Sequence, residues 1–455
     1  MTAQCIYFIG IGGIGMSNLA RYFQTKGLRV AGYDRTSTAL TRTMEQEGMQ
    51  IHYSDDVEAI PEAFLDVDQT LVVRTPAVPD QHSELRYFVE KGFRVMKRAQ
   101  VLGEISKSSR GLCIAGTHGK TTVSMMTAHL LKQSHVDCNA FLGGISNNYH
   151  SNLLLSETSD LTVIEADEYD RSFHQLHPYM EVITSVDPDH LDIYGTEEAY
   201  LESFSEFTRL IRAEGCLLIK KGLPLTLRLG PNVRLYTYAV EQEADFVAKR
   251  VRTENGRLFF DFYYPGGCIL DMELGVPVLI NVENALAAMG LAHLNGVRDE
   301  ELKMGLAGFK GTQRRFDVQI HREDFVYLDD YAHHPEELRA SIRSIKRLYP
   351  GKRVTGIFQP HLYSRTRDFA NEFAEVLSEL DVLILLEIYP AREAPIPGVS
   401  SRMLFDKISS NEKYLCSMDE IFMKLDTIKT DILVTLGAGN IDTLVPLIRK
   451  RYEIC

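Results

Sequence analysis

Apolar positions along the chain switch repeatedly between two patterns. Residues 5–9, "CIYFI", make a short continuous apolar run, as expected of a strand buried on both faces. Beyond a glycine cluster, Met16, Leu19, Ala20 and Phe23 recur at helical spacing, and "LRVAGYD" returns to a strand-like run. "TLVVRT" and "FRVMKR" continue the alternation up to a polar break at Lys107-Ser108-Ser109. A second series starts at Arg110 with the strand "GLCIAG", the turn "GTHGKTT" and a helix whose stripe is Val123, Met126, Leu130 and Leu131. "LTVIEAD" and "VITSVD" read as further strands. Residues 215–278 are β-rich and turn-rich, which predicts a subsidiary sheet, and "NVENALAAMGLAHLNG" and "DEELKMGLAGF" read as helices. From Phe316 a third series runs through "FVYLDDY", a helix from Pro335 to Leu348 and "RVTGIFQPH". A helix around "RDFANEFAEVLSEL", then "DVLILLEIY", "DILVTLGAGN" and a terminal helix complete it.

Strand and helix alternating throughout predict parallel sheets joined by right-handed crossovers. The breaks predict three α/β domains, 1–108, 109–315 and 316–455, with hinges near Lys107–Arg110 and Thr312–Phe316. A length of 455 residues supports several domains, and 45% apolar with 24% charged residues is the balance of a soluble globular chain. The net charge of −13 argues against a nucleic-acid partner, although local cations and helix N-termini can still hold phosphate in an acidic protein. Seven cysteines stand singly without a C-x-x-C pair, which argues against a structural zinc site or disulfide framework and for a reducing compartment. There is no basic n-region before an apolar stretch and no run long enough to span a bilayer. A cytoplasmic protein without membrane insertion is expected.

Candidate chemistry sits at the strand ends. The opening strand feeds Gly10, Gly12 and Gly15, spaced G-x-G-x-x-G, with Asp34 downstream, so the first domain is expected to be Rossmann-like. Taken alone this suggests a nicotinamide dinucleotide, but a lone G-x-G-x-x-G is a weak signal.

"AGTHGKTT", Ala115 to Thr122, is the strongest local motif. Between a strand and a helix it places the backbone N–H groups of Gly116, Thr117, His118, Gly119, Lys120 and Thr121 where phosphate oxygens can be wrapped, followed by Thr122. Lys120 is placed to reach β/γ-phosphates and Thr121 to ligate Mg²⁺. The spacing is a shortened variant, because the strict pattern requires glycine where Ile114 stands. The central domain is therefore expected to be P-loop ATPase-like.

"EADEYD" closes the next strand. In extended geometry Glu165 and Asp167 share a face, and one of them can hold a hard cation or position a phosphate. "SVDPDHLDIYG" puts His190 among Asp187, Asp189 and Asp192; neutral His190 suits a second metal, with Asp187 or Asp189 orienting its other nitrogen.

"FKGTQRRFD" sets Arg314-Arg315 at a junction, as a solvated hinge pair or as cations reaching a γ-phosphate. In "LDDYAHHPEE" the adjacent histidines point apart and no third zinc ligand stands at suitable spacing, so the stretch reads as a helix start. "FQPHLYSRTRD" brings His361, Arg365 and Arg367 to one sheet edge, where Arg365 or Arg367 can pair with a carboxylate ligand.

Taken in order, "GTHGKTT", "EADE", "DPDHLDIYG", "NVENALAA", "FKGTQRRFD", "DDYAHHP", "FQPHLYSRT" and "GAGNI" resemble the Mur ligase family, the ATP-dependent amide-forming ligases of peptidoglycan assembly. The resemblance extends from Gly10 to about Asn440. "FIGIGGIGM", "HHPEEL" and "EAPIPGVSS" agree with the member that acts first in the series.

The resemblance implies a UDP-sugar-binding Rossmann-like first domain, an ATP-binding central domain and a Rossmann-like third domain that binds the amino acid and closes. The implied reaction joins L-alanine to the lactyl carboxylate of UDP-N-acetylmuramate through an acyl phosphate. ATP and two Mg²⁺ sites serve it, and ADP and phosphate are released. By motif, Lys120, Glu165, His190 and Arg315 are catalytic, with Thr121, Glu165 and His190 at the metal. Asn284, Arg315 and Asp330 join the phosphate loop around ATP, and Tyr331, His333 and Arg365 surround L-alanine. The first glycine loop then serves the UDP-sugar diphosphate through Gly12, Gly13, Ile14 and Gly15, with Asp34, Arg35 and Thr36 beside the UDP moiety. The chain departs from the family pattern at Ile280-Asn281, at Leu362, and at Tyr169 and Arg171.

Overall fold

The computed structural model describes residues 3–254, 256–391, 393–410 and 412–453, with the Asp192 side chain outside the described residues. The first sheet comprises β1 (Cys5–Ile9), β2 (Arg29–Tyr33), β3 (Gln50–His52), β4 (Thr70–Arg74) and β5 (Arg94–Lys97). Its order is β3-β2-β1-β4-β5 and every pairing is parallel, as in half of a dinucleotide-binding sheet. The run "CIYFI" is apolar throughout because β1 is central. Ile6 and Phe8 face the helix Ile14–Thr25, and Cys5, Tyr7 and Ile9 face Phe64 and Phe88.

The second sheet holds β6 (Arg110–Ala115), β7 (Asn139–Phe141), β8 (Leu153–Leu154), β9 (Leu161–Glu165), β10 (Pro178–Ile183), β11 (Cys216–Lys220), β12 (Arg234–Val240), β13 (Phe246–Glu254), β14 (Arg257–Tyr264) and β15 (Gly267–Leu274). Their order is β15-β14-β13-β12-β11-β10-β6-β9-β7-β8. The expected subsidiary sheet over residues 215–278 is not separate. β11 pairs parallel with β10, β12 with β11 and β13 with β12, so these strands prolong the central sheet. The reason is visible in β11, where Cys216 to Ile219 are buried and require cover on both faces.

One hydrophobic core joins the first two sheets, running from Ile6 and Phe8 through Leu102 and Ile105 to Phe141, Ile164 and Phe204. Arg212 reaches across their junction, donating to the carbonyl oxygens of Ser106 and Ser109. Gly103 lies so close to the Gln175 carbonyl that an added Cβ would stand 2.3 Å from its oxygen. The expected hinge near Lys107–Arg110 is therefore a packed seam.

The chain groups into two compact units, one of Met1–Arg250, Asp261–Met272 and Glu283–Phe309, the other of Val251–Phe260, Glu273–Val282 and Lys310–Cys455. The second unit carries the third sheet, β16 (Asp317–His321), β17 (Val326–Asp330), β18 (Val354–Phe358), β19 (Val382–Leu385), β20 (Lys413–Leu415) and β21 (Ile432–Leu436). The order is β16-β17-β21-β18-β19-β20, parallel except for β16 against β17. The helix Pro335–Leu348 forms as its pattern predicts, burying Leu338, Ile342 and Ile345, with proline in its first turn and Glu337 reaching back to the His334 amide. The expected helix over 367–380 is instead two, Tyr363–Asp368 and Ala370–Leu377, because Phe369 leaves helical geometry at φ −113° and ψ 24°.

Candidate active site

β6 lies between β10 and β9 and delivers the chain into the loop 116–119 ahead of the helix Lys120–Lys132. Gly116 has φ +134°, and a Cβ there would stand 2.1 Å from Thr184 Oγ1, so only glycine fits. Gly119 has φ +84° and meets Asn284, whose Oδ1 would be 2.8 Å from an added Cβ, so Asn284 stands against the loop. The end of β10 clamps the other side. Thr184 Oγ1 donates to the Ala115 carbonyl at 3.2 Å, and the His118 amide donates to Ser185 Oγ at 2.8 Å. Thr117 Oγ1 donates to the Asp187 carbonyl at 2.7 Å and lies 2.8 Å from the Tyr200 hydroxyl. These bonds fix the loop from the β10 side.

Lys120 Nζ donates to the Gly116 carbonyl at 2.6 Å and to Glu168 at 2.8 Å. Glu168 is 1% exposed; burial pushes its pKa up and the Lys120 charge opposes the shift. Thr121 Oγ1 donates to Glu165 Oε1 at 3.0 Å, while Glu165 Oε2 is buried without a hydrogen bond. Gly143 makes room for that carboxylate, since a Cβ there would stand 2.1 Å from Oε2.

The four carboxylates of "EADEYD" thus divide their work. Glu165 takes Thr121 and Glu168 takes Lys120. Asp167 pairs with Arg98 at 3.3 Å and Asp170 with Lys97 at 2.8 Å, tying the motif to the first sheet's domain.

His190 has φ +53° and packs edge-on against Tyr169, with ring centroids 5.2 Å apart. Its neighbouring carboxylate is Asp189, with Oδ2 3.7 Å from Nε2, whereas Asp187 lies 3.8 Å from His118. The structure therefore brings Thr121 to Glu165 and places His190 with Asp189 and Tyr169.

The first glycine loop is partly filled by the protein itself. The Gly12 amide donates to Asp34 Oδ2 at 2.7 Å and the Thr36 amide to Asp34 Oδ1 at 3.1 Å, so Asp34 braces the loop while Arg35 and Thr36 are exposed. Gly12 is half-buried, Gly13 is exposed and Ile14 is 36% exposed at the start of the helix. At Gly15 an added Cβ would fall 1.8 Å from Arg98 Nη1, so this glycine admits the Arg98 guanidinium beside the loop.

In the second unit Arg314 and Arg315 part company. Arg314 turns inward at φ +63° and donates to the Gly437 carbonyl at 2.9 Å. Its guanidinium also lies 3.3 Å from Asp442 and 5.0 Å over the Tyr331 ring. Arg315 is exposed, and its charge acts on Asp330 and His333. Burial raises Asp330 to about 6.

Tyr331, His333, His361 and Arg365 gather at the same end of this sheet. Tyr331 and His333 rings lie 5.1 Å apart, His333 and His361 rings 5.9 Å apart, and Arg365 Nη1 is 3.4 Å from His361 Nδ1. His333 Nδ1 lies 2.9 Å from the Tyr331 carbonyl, which can only accept, so Nε2 keeps the lone pair. Burial lowers the His333 pKa and Glu337 opposes the shift. Arg367 pairs instead with its neighbour Asp368 at 2.7 Å, leaving Arg365 as the inward cation. Leu362, at φ +72°, holds the turn between the two groups.

Three family models cover the chain in succession. "Mur ligase family, catalytic domain" matches residues 5–110, "Mur ligase middle domain" 114–292, and "Mur ligase, glutamate ligase domain" 314–439. A UDP-N-acetylmuramate–L-alanine ligase of Parabacteroides distasonis is 62% identical, over 98% of this chain and 96% of its own length. The chain belongs to the Mur ligase family. A Porphyromonas gingivalis relative with the same name is 58% identical to this Mur ligase over 98% of this chain and 99% of its own. Among solved structures, the UDP-N-acetylmuramate–alanine ligase of Thermotoga maritima superposes with a TM-score of 0.83 at 26% identity, covering 98% and 99% of the two chains. A murein peptide ligase from Psychrobacter arcticus shares the fold, with a TM-score of 0.70 at 20% identity over 99% and 98%.

Four residues that shape the site of this Mur ligase escaped the sequence reading: Glu168, Arg98, Gly143 and Tyr200. Glu168 was legible in principle as the third carboxylate of the strand end. Arg98, Gly143 and Tyr200 carry no local signature, because each reaches the site from another element.

Proposed function

We propose that this Mur ligase joins L-alanine to the lactyl carboxylate of UDP-N-acetylmuramate at the expense of ATP, releasing ADP and phosphate. The observation that carries the reading is the 62% identity, over 98% of the chain, to a relative bearing that activity's name. ATP occupies the loop 116–122, with Asn284 beside it. Phosphoryl transfer needs charge neutralised more than bonds made, and Lys120 supplies a positive charge fixed by Glu168 and the loop carbonyls. Arg315, exposed beside Asp330, serves the γ-phosphate, while Arg314 is a structural latch of its own unit.

The donor set fits Mg²⁺. The Thr121 hydroxyl and the unpartnered buried oxygen of Glu165 are hard oxygens, the kind that a hydrated Mg²⁺ accepts. When bound there the ion would neutralise phosphate charge. His190, held by Asp189 and Tyr169, is assigned to a second ion.

The carboxyl group of UDP-N-acetylmuramate receives the phosphoryl group, and the L-alanine amine then attacks the acyl phosphate. Arg365 is the partner for the alanine carboxylate. His333, its burial favouring the neutral imidazole and Nε2 open, is the residue to accept the amine proton. Gly12 to Gly15 and Arg98 face the diphosphate. We assign the enzyme to the cytoplasm from the class of reaction; separately, no helix among the described residues is long and apolar enough to cross a membrane.

Phosphate release from ATP with UDP-N-acetylmuramate and single amino acids tests this directly. Release that depends on L-alanine is expected. Dependence on a preassembled peptide would move the assignment to a peptide-recycling ligase, and an absorbance change of NADH without ATP would return it to a dehydrogenase.

A further inference from the structure

Behind the first sheet, the helix Ser83–Glu90 begins beneath the end of β3. Asp55 is fixed over that helix start, its carboxylate accepting from the Ser83 amide at 3.0 and 3.1 Å and from the Glu84 amide at 3.3 Å. His82 precedes the helix and is 7% exposed. Its Nδ1 lies 3.3 Å from Asp55 Oδ1, yet neither ring nitrogen makes a hydrogen bond. Glu84 is fully buried; Oε2 accepts from the Tyr7 hydroxyl at 2.6 Å, and Oε1 makes no hydrogen bond, with His52 Nε2 at 3.4 Å beside it. One ligand atom from each of Asp55, His82 and Glu84 lies within 4.8 Å of the other two, and among the described residues no other group of His, Cys, Asp and Glu meets this condition.

Buried polar atoms in a folded protein are almost always partnered. Here one imidazole nitrogen of His82, hydrogen-bonded to nothing, meets carboxylate oxygens of Asp55 and Glu84. Two zinc ligands at tetrahedral angles stand about 3.3 Å apart, which is the His82–Asp55 separation. We propose that Asp55, His82 and Glu84 bind a divalent transition-metal ion of the zinc type, as a structural site of the first domain. One nitrogen and two carboxylate oxygens suit Zn²⁺ better than Mg²⁺, which prefers an all-oxygen octahedron.

The surroundings supply the outer bonds such a site needs. The Ser83 and Glu84 amides orient Asp55, and Tyr7, itself 2.8 Å from His52 Nε2, orients Glu84. Asp55 is 36% exposed on its side chain and opens the site to solvent and to a fourth ligand from water. The Tyr33 ring lies 4.4 Å from His82, so an ion here would also steady the strand end that carries Asp34. The site contains no cysteine, which is why cysteine spacing gave no sign of it.

The test uses the full chain, stripped with chelator and titrated with Co²⁺ in the presence of ATP and excess Mg²⁺. One equivalent of Co²⁺ with the visible absorption of a low-coordinate ion, displaced by Zn²⁺, is expected. The signal should vanish in Asp55→Asn, which keeps the helix cap, and in His82→Gln, with circular dichroism confirming that each is folded. It should persist in Glu165→Gln. Absence of the signal in the wild type, its survival in both Asp55→Asn and His82→Gln, or its loss in Glu165→Gln would each overturn the proposal.

Discussion

Lys120 shows how little of its role is private to the lysine. Its amine is aimed by two loop carbonyls and by Glu168, a carboxylate removed from water and paired with that amine. Replacing Lys120 with Ala removes one fixed positive charge from the phosphoryl path and should lower kcat by roughly 10²–10³-fold. Stopped-flow or steady-state phosphate release measures it, and a rate within a few-fold of wild type would detach Lys120 from the chemistry. Gly15 teaches a different lesson at the same scale. The third glycine of a dinucleotide-type loop is usually read through the ligand, yet here it also makes room for Arg98. A glycine pattern reports that something comes close, and only the packed structure says what.

Strands bear the next level of constraint. Glu181 lies in β10 against Cys113 of β6, fully buried, with neither carboxylate oxygen partnered among the described residues. Burial raises its pKa well above the ordinary value, so the fold pays for a polar group without partners. Glu181→Leu should stabilise the protein by about 1–3 kcal/mol, read as a higher denaturant midpoint.

Asp329 in β17 is 1% exposed and burial raises it to about 6, against the hydrogen bond from Thr435 and the charge of Arg314. Asp317 and Asp330 add to the rise. A raised carboxyl pKa means that the folded state binds the proton more tightly than the unfolded chain. Its stabilising contribution is complete below about pH 4 and is lost as pH rises through 6, amounting to about 3 kcal/mol. Asp329→Asn should reduce that slope in the unfolding of the unit that holds the third sheet, leaving the share due to Asp330, as denaturant midpoints at pH 4, 5 and 7 would reveal.

At the scale of the molecule, the proposed reaction needs an acyl phosphate sheltered from water. The seam at Lys107–Arg110 is packed, and we propose Thr312–Phe316, where Arg314 and Phe316 both have positive φ, as the segment that moves on closure. Adding ATP and UDP-N-acetylmuramate together should lower the radius of gyration in small-angle X-ray scattering. An unchanged value would argue against closure.

The motifs at strand ends, the alternation of strand and helix, and the helix Pro335–Leu348 were all legible in the chain. Each depends on residues close in sequence, through backbone geometry and apolar period. The local pattern also placed Lys120, Thr121, Glu165 and the Tyr331–His333 pair at the ends of strands, where sheets of this kind bind ligands. Sequence resemblance added the reaction.

Only the tertiary structure decided how residues far apart in the chain divide the work. It gave Glu168 to Lys120 and Glu165 to Thr121, turned Arg314 inward and left Arg315 exposed. It merged residues 215–278 into the central sheet and joined the first two sheets around one core. It also set Asp55 beside His82 and Glu84, with Tyr7 holding Glu84 from 77 positions away. Such pairings depend on which buried charge finds which partner once the chain has folded, and that partner need not lie nearby in sequence.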